Sequence, residues 1–259
     1  MGQIIFISAL TIFLFMIFFY IISLLLKNNG IVDIGWGLGF ITILAILHIF
    51  YPELYLRKIF ITFLIVLWGF RLAVHIFLRS IGKPEDFRYA QMRRNWGKYR
   101  IIHAFFRIFM LQGLLMLIIT LPIMLVFNSN PSKFTLWDMI GGFVFLFGFL
   151  FETIGDYQLT EFKKRPENKG KIITTGLWKY TRHPNYFGEA VLWWGVFIIG
   201  IPTNYGFIGI LSPLITTYLL INFSGVPLLE EKYEGRPDWE EYKTNTPMFV
   251  PKFGKKRFH

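Results

Sequence analysis

The chain has 259 residues, of which 54% are hydrophobic, 19% aromatic and only 17% charged, against about 45–50% apolar and about 25% charged in soluble globular domains. This balance excludes disorder and collagen-like repeats and is better used crossing a bilayer several times than filling one oversized core, so an integral membrane protein is expected. Lys and Arg outnumber Asp and Glu 27 to 16, giving a formal net charge of +11, and the lack of cysteine excludes disulfides, thiolate nucleophiles and cysteine-ligated metals.

A hydrocarbon core about 30 Å thick takes about 20 apolar residues as helix. In chain order the first such window runs from roughly Ile4 to Leu26, without charge and too long for the apolar core of a signal peptide. The second runs from about Val32 to Tyr51, with Asp33 at its start and His48 near its end, and the third from about Ile59 to Leu78, carrying Arg71 and His75. The fourth, about Phe105 to Phe127, contains Pro122, and the fifth, about Leu136 to Gly155, has Glu152 in its last turn. The sixth and seventh, about Phe187 to Ile201 and Tyr205 to Phe223, are shorter and interrupted by Gly200, Pro202 and Pro213. The expected fold is therefore an all-α bundle of about seven transmembrane helices.

Positive charge tests the count, because Lys and Arg collect in cytoplasmic loops. With the N-terminus outside and the C-terminus in the cytoplasm, 23 basic residues lie inside against three outside, Arg57, Lys58 and Lys133, with Arg71 inside a span. Topology then accounts for most of the net charge, and nucleic-acid binding is unnecessary. The whole chain, 1–259, reads as one membrane domain with cytoplasmic segments at about 79–104, 156–186 and 224–259, and the cell's inner membrane is the expected location.

The segment from Glu152 to Glu189 is the richest in chemistry. Glu152 and Asp156 share a helix face at the inner end of the fifth span, and Lys163 and Lys164 follow about two turns later. Carboxylates at that depth are costly unless they face a partner or a polar cavity, so a polar pocket is expected, against simple helix-end anchoring. In Gly176-Leu-Trp-Lys-Tyr-Thr-Arg-His-Pro-Asn-Tyr-Phe-Gly-Glu189, Arg182 supplies a cationic fork for phosphate or carboxylate, and Pro184 opens a helix on which Asn185, Gly188 and Glu189 share a face. No metal site is indicated.

The run Arg182-His183-Pro184-Asn185-Tyr186-x-Gly188-Glu189, followed by an apolar span and a tail with Glu230-Glu231-Lys232-Tyr233, resembles the steroid 5-alpha-reductase C-terminal superfamily. Val32-Asp33-Ile34-Gly35-Trp36-Gly37, Trp68-Gly69-Phe70-Arg71-Leu72 and Glu85-Asp86-Phe87-Arg88-Tyr89 are similar to stretches of its bacterial, DUF1295-like branch. The resemblance covers about residues 30 to 253. The superfamily also includes isoprenylcysteine and phospholipid methyltransferases that bind S-adenosylmethionine through a similar element.

The resemblance to the reductases implies an NADPH pocket to which Glu152, Asp156, Lys163, Lys171, Asn185 and Glu189 contribute, with Glu152 standing where the family has Asn. Arg182, His183, Tyr186 and Glu230 complete the cofactor-binding expectation, and Arg71 and Arg79 join it from the third span and its cytoplasmic end. A cofactor with three phosphate groups suits a basic cytoplasmic mouth, whereas S-adenosylmethionine, cationic at sulfur, does not need one. Hydride addition to an enone builds negative charge on the conjugated oxygen, which a hydrogen-bond donor stabilises. By position Asp33 matches the family's acidic residue on the second helix and Trp68 falls where the family has Tyr. Trp has no acid proton to give, so His75 is a second candidate donor. Asp33 as a helix N-cap and His75 as a packing residue are the competing readings. Arg71, halfway along an apolar helix, must pair with a carboxylate such as Asp33 or Glu152, or touch the cofactor. In the adjacent loop Arg79, Arg88 and Tyr89 either contact phosphate or are solvated.

The reading that follows is a membrane-embedded reductase taking hydride from NADPH and adding it to a carbon–carbon double bond of a lipophilic enone, a 3-oxo-4-ene steroid being one example, with membrane lipid as its surroundings. The alternatives are an S-adenosylmethionine-dependent membrane methyltransferase and a non-catalytic membrane binding or transport protein.

Overall fold

The computed structural model describes residues 1–129, 133–223 and 225–253. The protein is an all-α, multi-pass membrane bundle, with no strand among the described residues. Five of its helical stretches are long and apolar enough to cross a bilayer: Gly2–Leu26 (α1), Ile31–Phe50 (α2), Leu56–Ser80 (α3), Phe87–Ile119 and Leu136–Lys164 (α8). The fourth is composite. Asp86 caps its first piece, α4 (Phe87–Trp96), by accepting from Arg88 N at 3.0 Å, and Gly97, at φ +48°, ends that piece in a conformation that glycine tolerates. The helix resumes as α5 (Arg100–Ala104), passes through a π-turn at Phe105–Met110 and continues as α6 (Leu111–Ile119).

Prolines explain most of the departures from the seven expected spans. Pro122 has no N–H to donate back into the preceding turn, so α6 stops at Ile119 and a separate α7 covers Leu121–Phe127. The sixth and seventh apolar segments become α9 (Pro184–Gly200, 17 residues) and a 3₁₀ turn at Gly206–Ile210 running into α10 (Leu211–Asn222). At 1.5 Å per residue, 17 residues reach only about 25 Å, short of a full hydrocarbon core. Two short helices, α11 (Val226–Glu230) and α12 (Pro237–Asn245), close the chain.

The chain divides into two compact units. The first comprises Met1–Asp138 and Ile199–Leu211. In it α2 and α3 cross so closely that a Cβ on Gly37 would lie 2.3 Å from Gly69 O, and one on Gly35 would lie 2.9 Å from the Phe19 ring. The glycines of Gly35-Trp-Gly-Leu-Gly39 thus set helix spacing, a use of small residues common between membrane helices. Trp68, Phe40, Ile43, Leu64 and Met116 fill the interior, while Phe6, Leu14, Phe18 and Leu25 of α1 stay uncovered, as side chains facing lipid would. Arg57 and Lys58, expected in an outer loop, are instead buried in the first turn of α3 at 1% exposure each. Arg57 forks onto Asp138 (Nε–Oδ1 2.6 Å, Nη2–Oδ2 3.0 Å), and the Lys58 ammonium donates to Tyr51 O (2.8 Å) and Glu53 O (2.9 Å) beside the Tyr55 and Phe127 rings.

The second unit comprises Met139–Ile198 and Ser212–His259. Here α8 and α9 meet backbone to backbone: a Cβ on Gly188 would lie 2.3 Å from Glu152 N and 2.5 Å from Gly148 O, and one on Gly195 would lie 2.5 Å from Phe145 N. The chain after α12 straps back along the unit through Arg182 N to Pro247 O, Thr181 Oγ1 to Phe249 O and Lys252 N to Tyr180 O. Phe249 seats that strap among Ala190, Leu220, Phe187 and Met248.

Candidate functional site

The close crossing of α8 and α9 decides where the polar residues of the second unit fall. Gly155 lies against the start of α9, where an added Cβ would come within 3.1 Å of Asn185 N. This places Asp156 beside Asn185, whose Nδ2–H donates to Asp156 Oδ1 at 3.1 Å. A carboxylate can only accept, so the amide nitrogen is fixed toward it, and Asn185 Oδ1 is buried without a hydrogen-bond partner among the described residues. Glu152, one turn earlier on α8, is 2% exposed and Asp156 8%. A buried acceptor such as Asn185 Oδ1 left without a hydrogen bond is uncommon and points to a missing donor.

The next cluster is built from the same run. Arg182 forks onto Glu230 (Nε–Oε1 2.8 Å, Nη2–Oε2 3.1 Å) and also caps Lys243 O and Thr246 O, each at 3.0 Å. His183 Nε2 lies 2.8 Å from Glu230 Oε1, so in the neutral ring Nε2 carries the proton and Nδ1 is the acceptor. That Nδ1 is buried with no hydrogen-bond partner among the described residues, and the Tyr186 ring stacks over His183 at 5.7 Å and 12°. Burial would push the Glu230 carboxyl up, but the hydrogen bonds from His183 and Arg182 and the guanidinium charge outweigh it and hold Glu230 below the usual carboxylate range. The Tyr242 hydroxyl, donating to Trp178 O at 2.5 Å, is pushed up by burial. Glu189 is half-buried on α9, one turn beyond Asn185; Lys163 and Lys171 are exposed, one at the end of α8 and one in the loop that follows.

In the first unit, Asp33 in the first turn of α2 accepts from the Tyr89 hydroxyl at 2.5 Å and from Arg88 Nη2 at 3.3 Å. Arg88 Nε is in turn held by Asp86 Oδ1 at 2.9 Å, and Gln112 Nε2 approaches the Tyr89 oxygen at 3.4 Å. Glu85 accepts from Asn29 N (2.6 Å) and Arg93 Nη2 (2.7 Å), tying the segment before α4 to the α1–α2 turn. Asp86, at the edge of this network, would be raised by burial, but Arg88 outweighs that and keeps its carboxyl low. Trp68 is fully buried edge-on to Phe40 at 5.5 Å. Trp68, Arg71, His75 and Arg79 recur on one face of α3, with Arg71 and His75 half-buried and Arg79 exposed.

The structure thus brings Asp156 to Asn185, and Arg182 and His183 to Glu230, each within the second unit. In the first it joins Asp33 to Tyr89 and Arg88. Asp33 is joined to Tyr89, a residue that the sequence reading placed only in a loop. Among the described residues no group of three or more His, Asp or Glu is arranged to hold a metal.

Residues 19–246 match the family described as a protein of unknown function, DUF1295, and the chain belongs to that family. An uncharacterized protein of Schizosaccharomyces pombe is 25% identical over 262 residues, covering 89% of this chain and 75% of the relative. No solved structure matches the chain to a significant degree.

Proposed function

We propose that the protein is a membrane reductase that binds NADPH through the second unit and reduces a carbon–carbon double bond of a lipophilic enone. The observation that carries this reading is the Asp156–Asn185 contact with its spare buried acceptor, together with a second spare acceptor on His183, two residues earlier in the chain. Two buried acceptors fit the hydroxyl and amine donors of a nucleoside. Lys163 and Lys171 supply nearby positive charge for phosphate groups in the same stretch of chain. Bound NADPH would supply the hydride.

The chain's own residues would then do the following work. Asp156 fixes the Asn185 amide so that Oδ1 stays turned to a donor. Glu230 holds the His183 ring in the tautomer that keeps Nδ1 an acceptor, and Arg182 anchors Glu230. In the first unit, Asp33 takes the Tyr89 hydroxyl proton in a hydrogen bond and is itself held by Arg88.

Thermal unfolding of the detergent-solubilised protein with NADPH, NADH or S-adenosylmethionine tests the reading. NADPH at a hundred times its Kd should add about 2.7 kcal/mol of stability, and Asn185→Ala should weaken that protection at least tenfold. Protection by S-adenosylmethionine alone would make the protein a methyltransferase instead.

A further inference from the structure

The strap that follows α12 lines a polar cavity in the second unit. Its volume is about 520 Å³, and its lining runs Arg182, Lys243, Thr244, Asn245, Thr246, Pro247 and Lys252, with no Asp or Glu among them. One wall is the last turn of α12 and the other is the strap itself, held by Arg182 N to Pro247 O and Lys252 N to Tyr180 O, both at 3.0 Å, and by the Tyr180–Phe253 ring contact. The two lysines are therefore mounted on fixed backbone, one on the last turn of α12 and one on the strap, around a cavity large enough for a small polar ligand.

The charge balance favours an anion. A helix C-terminus alone would repel one, because its last carbonyls carry the negative end of the helix dipole. Arg182 cancels that effect here by donating to Lys243 O and Thr246 O. Its own charge is matched by Glu230, which faces away toward Arg182 Nε and His183. What is left over is Lys243 and Lys252, both exposed, and neither has a carboxylate partner among the described residues. Two ammonium groups without counterions suit a dianion carried on a single group.

We propose that this cavity binds a dianionic phosphate group, with Lys243 and Lys252 as its two cationic contacts. The site does not rest on the reductase reading. The same dianionic group could arrive as free phosphate or as the headgroup of a lipid such as phosphatidic acid. The test uses the full chain in detergent titrated with inorganic phosphate, and the full chain in nanodiscs of phosphatidylcholine with or without phosphatidic acid, followed by thermal unfolding. Each is repeated on the Lys243→Ala/Lys252→Ala double variant, whose substituted side chains are exposed and leave the strap's backbone bonds in place.

Phosphate also stabilises proteins by exclusion from their surface, so the difference between wild type and variant is the signal. Saturable protection in one of the two arms, weakened at least tenfold in the double variant while NADPH protection is unchanged, supports the site, and the arm that responds identifies the source. Absence of saturable protection in both arms, or equal protection of wild type and variant, overturns it. Loss of NADPH protection in the double variant also overturns it as a separate site, because the lysines would then belong to the dinucleotide.

Discussion

Glu230 ties down two adjacent residues of one run, because it accepts from both Arg182 and His183. Its folded-state pKa is depressed, so its contribution to stability is complete above the ordinary carboxylate value of about 4.3 and is lost as pH falls through the lower folded value. Glu230→Gln should therefore unfold at lower temperature than wild type at pH 7, by about 1.5–3 kcal/mol for lost hydrogen bonds to charged groups. Melting curves from pH 3 to 8 should show the gap constant above about pH 5 and closing below about pH 4; a gap that widened in acid would contradict the assignment. The sequence made Arg182 and His183 visible as a motif but could not say what they hold. A tail residue 48 positions away is legible as a partner only after the strap has folded back. The same limit hid Tyr89. Its hydroxyl reaches Asp33 from α4, and no helical periodicity encodes a contact across 56 residues.

At the scale of elements, the glycines do the positioning. Gly188 and Gly148 let α8 and α9 touch through their backbones, and that contact sets Asn185 against Asp156. Gly188→Ala would place a Cβ 2.3 Å from Glu152 N, a backbone atom that cannot step aside. The helices must separate, at a cost of about 1–3 kcal/mol, and ligand protection should fall with it. Gly2→Ala, with nothing within 4 Å of the added carbon, should change neither. Equal behaviour of the two variants in thermal unfolding would mean that the crossing does not hold the pair. The apolar windows gave α1, α2 and α3 to within three residues, whereas the fourth long helix begins 18 residues before its window and α8 ends nine residues after its own. Their ends were less legible: Arg57 and Lys58 looked like loop charge and lie inside α3, because Asp138 and the carbonyls of Tyr51 and Glu53 satisfy them there. Only a partner distant in sequence distinguishes a buried arginine from a solvated one.

For the molecule as a whole, membrane residence was fixed by composition alone, and family membership by motifs spread over most of the chain. The orientation argued from loop charge, N-terminus outside and C-terminus inside, is open to direct measurement because the chain has no cysteine to interfere. Single Lys98→Cys and Lys133→Cys variants, both at exposed positions, should react with an impermeant maleimide from opposite faces, Lys98→Cys only after the cytoplasmic side is opened. Labelling of both from one face would reverse or break the topology. The function rests on a narrower claim, that the spare acceptors of Asn185 and His183 await the polar groups of a dinucleotide. A cryo-electron microscopy map of the detergent-solubilised protein with saturating NADPH tests it most directly. The account predicts ligand density within hydrogen-bonding distance of Asn185 Oδ1 and His183 Nδ1, and density elsewhere with both atoms still unengaged would contradict it.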